Sequence, residues 1–179
     1  MLRWATLVAL TCAGAPAAAQ DITYSFDATE NCLAEKGKDG EAHQCFGASA
    51  TACMEAGESG WTTVGMVQCL DAEAHDWDQR LNAAYGLLMA GSKAMDAEMA
   101  ELGSSAPSQA DALRAMQRAW IPFRDASCEY ERSTWGGGTG GGPASLSCYL
   151  NLTATQAWSL EQNVAATSAG TCNHKGCTE

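Results

Sequence analysis

Cysteine is the residue type whose number and spacing most clearly indicate a chemistry in this chain, the formation of disulfide bonds. The chain holds nine cysteines. One of them, Cys12, lies in the N-terminal 19 residues, which have the features of an export signal, and eight remain in the rest of the chain. An even number of thiols in an exported protein is typical of a disulfide framework, and no C-x-x-C pair of the kind found in zinc sites occurs. Pairing of nearest neighbours predicts the bonds Cys32–Cys45, Cys53–Cys69, Cys128–Cys148 and Cys172–Cys177.

No other residue pattern indicates catalysis or a bound cofactor. The sequence has neither a G-x-S-x-G nor an H-E-x-x-H motif, and the glycines of residues 136–142 lack the G-K-[S/T] ending of a phosphate-binding loop. We interpret His75, with Glu73 or Asp76, as part of a solvated helix face. We therefore expect a protein that is not an enzyme and that needs neither a cofactor nor a metal ion.

The N-terminal 19 residues have the features of an export signal. Arg3 precedes a short, alanine-rich apolar run, and Ala17-Ala18-Ala19 supplies an A-x-A cleavage site before Gln20. The apolar run is too short to span a bilayer, and no later run is longer, so we expect no membrane insertion. These features predict a periplasmic or secreted protein.

The charge of the chain narrows the class of partner. Without Arg3, nine Lys and Arg residues oppose 21 Asp and Glu residues, which gives the exported part a net charge of −12. Such a charge argues against nucleic acid and against an anionic membrane surface as partners. It favours either a cationic protein partner or simple solubility.

The periodicity of apolar residues predicts helices after residue 60. Thr62 or Thr63 is placed to cap a helix that runs to about Ala90, because apolar residues recur there at spacings of three and four. Gly91-Ser92 interrupts this pattern, and a weaker helical stretch continues to Leu102.

Two further helices are predicted in the second half of the chain. Ser108 and Asp111 have the form of a capping box, and the helix that they open contains Pro122, which predicts a kink. The last helix is expected from about Ser145 to Ala166. No alternating apolar and polar run indicates a strand.

These patterns predict an all-α fold, a small disulfide-stapled bundle of about three to four helices with a glycine-rich loop. We divide the chain into a signal peptide at 1–19, a cysteine-containing extension at 20–52, a helical domain at 53–166 and a disulfide-closed tail at 167–179. We expect short helical turns in the extension rather than a separate domain.

Two of the predicted helices carry a specific motif. It reads D-x-x-L-N-x-x-Y in the first helix and Q-x-x-W-x-x-x-R-D-x-x-C in the second. The motif residues are Asp78, Leu81, Asn82, Tyr85, Gln117, Trp120, Arg124 and Asp125. With the flanking cysteines and the glycine-rich loop, this pattern resembles the LprI-like lysozyme inhibitor family over roughly residues 53–162. Pro122 and Gln156 depart from it, since the family usually has another residue at the first position and commonly an arginine at the second.

The resemblance implies a protein that inhibits lysozyme-type muramidases by binding and occlusion, with a cationic lysozyme as its partner. The alternative is a module that binds another envelope protein without inhibiting lysozyme, because a shared fold does not establish a shared function.

Helical spacing suggests how the motif residues interact. Arg124 would lie near Asp78 or Asn82, and we expect an ion pair between Arg124 and Asp78. This pair could be a recognition site or a buried polar network that fixes the helix register. Asp125 would point about 100° away from Arg124 and contact the loop that follows.

The glycine-rich segment from Trp135 to Pro143 is predicted to be a flexible loop closed by Cys128–Cys148. Such a loop could project as a finger into a partner, or it could be an ordinary surface loop. For a finger, the candidate partner-binding residues are Glu129, Glu131 and Trp135.

Overall fold

The computed structural model describes residues 22–175, and it describes side chains as far as residue 167. Within these residues the chain forms five α-helices and no strand, which confirms the all-α prediction. The helices are α1 (Asp27–Lys36), α2 (Ala48–Glu55), α3 (Thr63–Glu101), α4 (Gln109–Ser133) and α5 (Gly141–Lys175). Two short 3-10 turns join α1 to α2. The two additional short helices therefore lie in the N-terminal extension and at its junction with the helical domain.

Helix α3 is longer and more regular than the sequence suggested. The Thr62 hydroxyl accepts a hydrogen bond from the Gly65 amide at 3.0 Å, which confirms the predicted cap. The helix then continues through Gly91-Ser92 without interruption. A glycine inside a helix costs only about 1 kcal/mol relative to alanine, which is too little to end a helix that packs along α5.

Helix α4 begins with a cap that the sequence predicted only in part. The Ser108 hydroxyl accepts from the Asp111 amide at 3.1 Å, as expected. Asp96 of α3 adds a second cap, because its carboxylate accepts from the amides of Gln109 and Ala110 and from the Ser108 hydroxyl. These hydrogen bonds, the one from Ser108 first, lower the pKa of Asp96 below its usual value.

Pro122 does not end α4, which remains one helix from Gln109 to Ser133. Proline has no amide to bond the Arg118 carbonyl four residues earlier, and its ring crowds that carbonyl. Both residues lie on the exposed side of the helix, where water can hydrate the carbonyl.

The core lies mainly between α3 and α5. Its buried side chains from these two helices are Cys69, Leu70, Ala74, Trp77, Leu81, Ala84, Leu150, Ala154, Ala157 and Leu160. The Trp77 ring is fully buried, and the rings of Phe26 and Phe46 meet it edge to face at 5.5 and 5.1 Å between centroids. The N-terminal extension therefore completes the core around Trp77 and is not a separate unit.

Glu73 is a fully buried carboxylate at the meeting point of α1, α2 and α3. Its Oε1 accepts from the Thr29 hydroxyl at 2.8 Å, the Gly47 amide at 2.9 Å and the Trp77 indole at 3.1 Å. Its Oε2 accepts from the Ala50 amide at 2.6 Å. Two of these donors are the free amides at the start of α2, so Glu73 caps that helix from outside.

The interpretation of Glu73, His75 and Asp76 as a solvated helix face is therefore wrong for Glu73. His75 is exposed, but Glu73 points into the protein, and Asp76 accepts a hydrogen bond from the Tyr24 hydroxyl at 2.6 Å. The extension covers this side of α3, which the sequence of the helix alone does not reveal.

Three of the four predicted disulfides are present. Cys32–Cys45 joins α1 to the second 3-10 turn, Cys53–Cys69 joins α2 to α3, and Cys128–Cys148 joins α4 to α5. The predicted bond Cys172–Cys177 lies outside the residues whose side chains the structure describes.

The last helix differs from the prediction at both ends. It begins at Gly141, inside the segment expected to be a loop, and it runs to Lys175, beyond the expected end at Ala166. The predicted signal peptide at 1–19 lies outside the described residues. Among residues 22–175, no helix combines the length and the apolar character that a membrane span requires.

Replacing Glu73 tests the role of the buried carboxylate. In Glu73→Gln an amide nitrogen would face backbone and side-chain donors, so hydrogen bonds would be lost and a buried polar group would lack a partner. We expect the free energy of unfolding to fall by about 3 kcal/mol, measured by urea denaturation of the oxidised protein. The same change at the exposed Glu98 is the control, and equal midpoints for the two variants would contradict this role.

Asp96 should make the stability depend on pH. Its pKa is lower in the folded protein than in the unfolded chain, so its contribution is present above the unfolded value of about 3.8 and is lost as the pH falls through the folded value. Asp96→Asn should therefore be less stable than the wild type at neutral pH, and the difference should shrink in strong acid. Thermal unfolding as a function of pH measures this, with Asp39→Asn as the charge-matched control; a pH-independent difference would contradict it.

Candidate functional site

Arg124 is held between two aromatic rings where α4 packs on α5. Its guanidinium carbon lies 4.8 Å from the centroid of the Trp120 ring and 4.0 Å from that of the Tyr149 ring, and the residue is buried. A guanidinium, which is weakly hydrated and planar, suits this position better than the ammonium of lysine would. Tyr149 directly follows Cys148, whose disulfide with Cys128 joins the same two helices.

The ion pair of Arg124 differs from the predicted one. Its Nε and Nη2 groups donate to Asp125 Oδ1 at 2.9 and 2.8 Å, whereas Asp78 accepts from the Asn82 amide at 2.9 Å. The predicted pair with Asp78 is therefore wrong, and so is the prediction that Asp125 points away from Arg124. The reason is that α4 packs more extensively on α5 than on α3, so Arg124 reaches Tyr149 and its own neighbour.

Three further motif residues pack in the core or between helices, namely Leu81, Tyr85 and Gln117. Leu81 is buried in the core, and Tyr85 is half-buried against it. The Gln117 side chain is buried on α4, where its oxygen accepts from the Gln156 amide of α5 at 3.1 Å. Gln156 thus supplies an interhelical hydrogen bond at the position where an arginine was expected. These contacts favour the interpretation of the motif as a polar network that fixes helix register.

A shallow acidic pocket lies beside the Arg124 stack, between α3 and α5. It has a volume of about 360 Å³, and its lining includes Asp71, His75, Asp78 and Tyr149. Burial raises the pKa of the Tyr149 hydroxyl, Arg124 opposes that rise, and the nearby carboxylates of Asp78, Asp125 and Asp71 reinforce it. We call Asp71, Asp78 and Asp125 the acidic cluster.

Sequence reasoning missed Asp71 and the position of Tyr149. Asp71 and Asp78 are seven residues apart, two helical turns, so they share one face of α3. That spacing is a usable signal, but it does not show that α5 brings Tyr149 to the same face. In the described part of the chain, no group of three or more His, Cys, Asp or Glu side chains is arranged to hold a metal ion.

The glycine-rich segment forms compact turns rather than an extended finger. Successive backbone hydrogen bonds, such as Gly138 to Trp135 at 2.9 Å and Gly141 to Gly138 at 3.1 Å, close it on itself. The Trp135 indole lies directly against Gly140, so closely that a β-carbon at Gly140 would overlap the ring. Gly136 and Gly137 have φ of 56° and 84°, a region that favours glycine.

The three partner-binding candidates, Glu129, Glu131 and Trp135, are all exposed in the structure. Glu129 and Glu131 lie near the end of α4, and neither lines the acidic pocket. Trp135 instead lines a concave site with a volume of about 830 Å³, which lies between α2, the start of α3 and the start of α5. Trp61 lies on the same surface, which we call the tryptophan groove.

Comparison with known proteins gives one family and two relatives. The family model described as lysozyme inhibitor LprI matches residues 53–160, which include the first part of α5 and all of α3 and α4. An uncharacterized 17.7 kDa protein of Rhodobacter capsulatus is 27% identical over 161 residues, 89% of this chain and 96% of that protein.

An uncharacterized protein of Rhizobium meliloti is 36% identical over 61 residues, 34% of this chain. The matched segment spans only 44% of that relative. No solved structure matches the chain. Because the family model covers more than half of the sequence, including the whole motif from Asp78 to Cys128, the chain belongs to the lysozyme inhibitor LprI family.

Proposed function

We propose that this protein binds and inhibits a lysozyme-type muramidase. The observation that carries the proposal is the family match over residues 53–160, the part of the chain that holds the Arg124 stack and the acidic cluster. A protein of this family acts by binding, so its activity depends on surface complementarity and not on a catalytic group.

Electrostatics support a cationic enzyme as the partner. The chain has a formal net charge of −11, and two carboxylates of the acidic cluster, those of Asp71 and Asp78, line a concave site. Opposite charges on two proteins speed their association and orient them as they meet. Arg124 pairs with Asp125, while Asp71 and Asp78 remain on α3 to meet basic side chains of the enzyme. Binding there would cover part of the enzyme's cleft.

We further propose that the protein works outside the cytoplasm. Three disulfides within residues 32–148 are typical of a protein that folds in an oxidising compartment, and a muramidase is met there. An export signal at residues 1–19 would bring it there.

The alternative function is a module that binds an envelope protein without inhibiting lysozyme. The observation that favours it is the tryptophan groove, since exposed apolar surface in a concave site marks an interaction site of some kind. A protein partner in this groove would be recognised by apolar contacts, and its affinity would depend little on salt.

The acidic cluster can be tested in a lysozyme assay that follows the turbidity of bacterial cell walls. The oxidised protein should protect the walls, and protection should weaken as salt increases. The double variant Asp71→Asn, Asp78→Asn should inhibit about tenfold less well, because it removes charge that attracts the enzyme.

Glu98→Gln with Glu101→Gln is the matched control, since these acids lie on the same helix about 40 Å from Asp71. If both double variants lose inhibition equally, the loss comes from the net charge of the protein and not from the position of Asp71 and Asp78. A folded protein that gives no protection at high molar excess would contradict the inhibitor function itself.

A separate experiment tests whether the exposed acids at the end of α4, Glu129 and Glu131, contact the enzyme. If the enzyme contacts this end of the bundle, Glu129→Gln with Glu131→Gln should weaken inhibition about tenfold while leaving the unfolding midpoint unchanged. The same turbidity assay compares this variant with the one at Asp71 and Asp78. Unchanged inhibition would remove Glu129 and Glu131 from the contact surface.

A further inference from the structure

The tryptophan groove has features that the proposed inhibition does not use. Its volume of about 830 Å³ is within the range of about 300–1,000 Å³ that is typical of small-ligand sites. Trp61 and Trp135 line it and are 58% and 50% exposed. Two large aromatic rings left in water cost free energy, which a ligand that covers them would recover.

The position of Trp135 is set before any ligand arrives. Its ring rests on Gly140, where there is no side chain, and the start of α5 follows immediately at Gly141. The turn that carries the ring uses Gly136 and Gly137 in conformations that other residues rarely adopt. An indole held in this way loses little conformational freedom on binding, which favours affinity.

The polar side chains of the groove are neutral with one exception. Gln44, Thr51 and Asn151 supply amide and hydroxyl groups, and Glu55 supplies a carboxylate. Gln44 uses its oxygen to accept from Lys36, which leaves its amide hydrogens for a ligand.

The amide of Asn151 donates to the Ser147 carbonyl, which leaves its side-chain oxygen as an acceptor. In the part of the chain that the structure describes, no lysine or arginine lines the groove, so an anionic ligand is disfavoured.

We propose that the tryptophan groove binds a neutral oligosaccharide chain. A pyranose ring has an apolar face of C–H groups that can stack on an indole, and its hydroxyl and acetamido groups need donors and acceptors at the rim. Trp61 and Trp135 supply the stacking surfaces, and Gln44, Asn151 and Glu55 supply the polar groups. A β-linked chain of N-acetylated hexoses combines these features, and the cell wall that a muramidase digests contains such sugars. This site is independent of the acidic cluster.

Titration of the oxidised protein with an N-acetylglucosamine hexamer tests the proposal in the absence of lysozyme. Intrinsic tryptophan fluorescence and calorimetry should both show saturable binding. Trp61→Ala and Trp135→Ala should each weaken it about tenfold. Gly140→Ala should also weaken it, because a β-carbon would displace the Trp135 ring.

Phe123→Ala is the matched control, since Phe123 is an exposed aromatic residue that does not line the groove. Circular dichroism and a thiol assay check that each variant is folded and oxidised. The proposal would be overturned if the wild type shows no saturable binding of the hexamer. It would also be overturned if the tryptophan variants bind the hexamer as tightly as the wild type does.

Loss of lysozyme inhibition in Trp135→Ala without any glycan binding would also overturn it and would assign the groove to the protein partner. Glycan binding by a protein that does not inhibit lysozyme would support the glycan site and count against the inhibitor function, so the two failures are distinguishable.

Discussion

The buried carboxylate of Glu73 is the interaction on which the arrangement of the N-terminal half depends. A carboxylate without exposure to water must have all its lone pairs satisfied, or it destabilises the fold by several kcal/mol. Four donors meet it, from Thr29 of α1, from Gly47 and Ala50 at the start of α2, and from Trp77 of α3. These donors come from three helices, so the carboxylate links the positions of α1 and α2 to that of α3. The Cys32–Cys45 and Cys53–Cys69 disulfides hold the same segments covalently, so the hydrogen-bond network and the covalent links act on the same arrangement.

The family motif serves a similar purpose in the other half of the molecule. Arg124, between Trp120 and Tyr149, fixes α4 on α5, and the Gln117–Gln156 hydrogen bond repeats that contact further along. Because these residues contact one another, the structure favours the interpretation in which they hold the helices in place over the one in which they meet a partner. Recognition of a partner then depends on the surface residues that this arrangement of helices exposes. Related proteins can share the motif while these surface residues differ.

Two such surfaces lie on either side of the first turns of α5. The acidic pocket is bordered by α3 and the first part of α5, and all its lining residues fall within the matched residues 53–160. The tryptophan groove also uses α2 and the turn before it, including Gln44 and Phe46, which precede the family match. Its lining therefore combines residues inside the family match with a segment outside it, so this surface can differ from one family member to another.

Local signals in the sequence determined the three long helices in outline, the caps at Thr62 and Ser108, and the pairing of cysteines that are close along the chain, because each depends on residues within about 20 positions of one another. Only the tertiary structure decided the burial of Glu73 and the partner of Arg124. It also brought Trp61 and Trp135 to the same concave surface, because segments far apart in sequence meet only in the folded chain. A helical spacing shows which face a residue occupies, but the neighbouring helix decides whether that face meets water, a carboxylate or a ring.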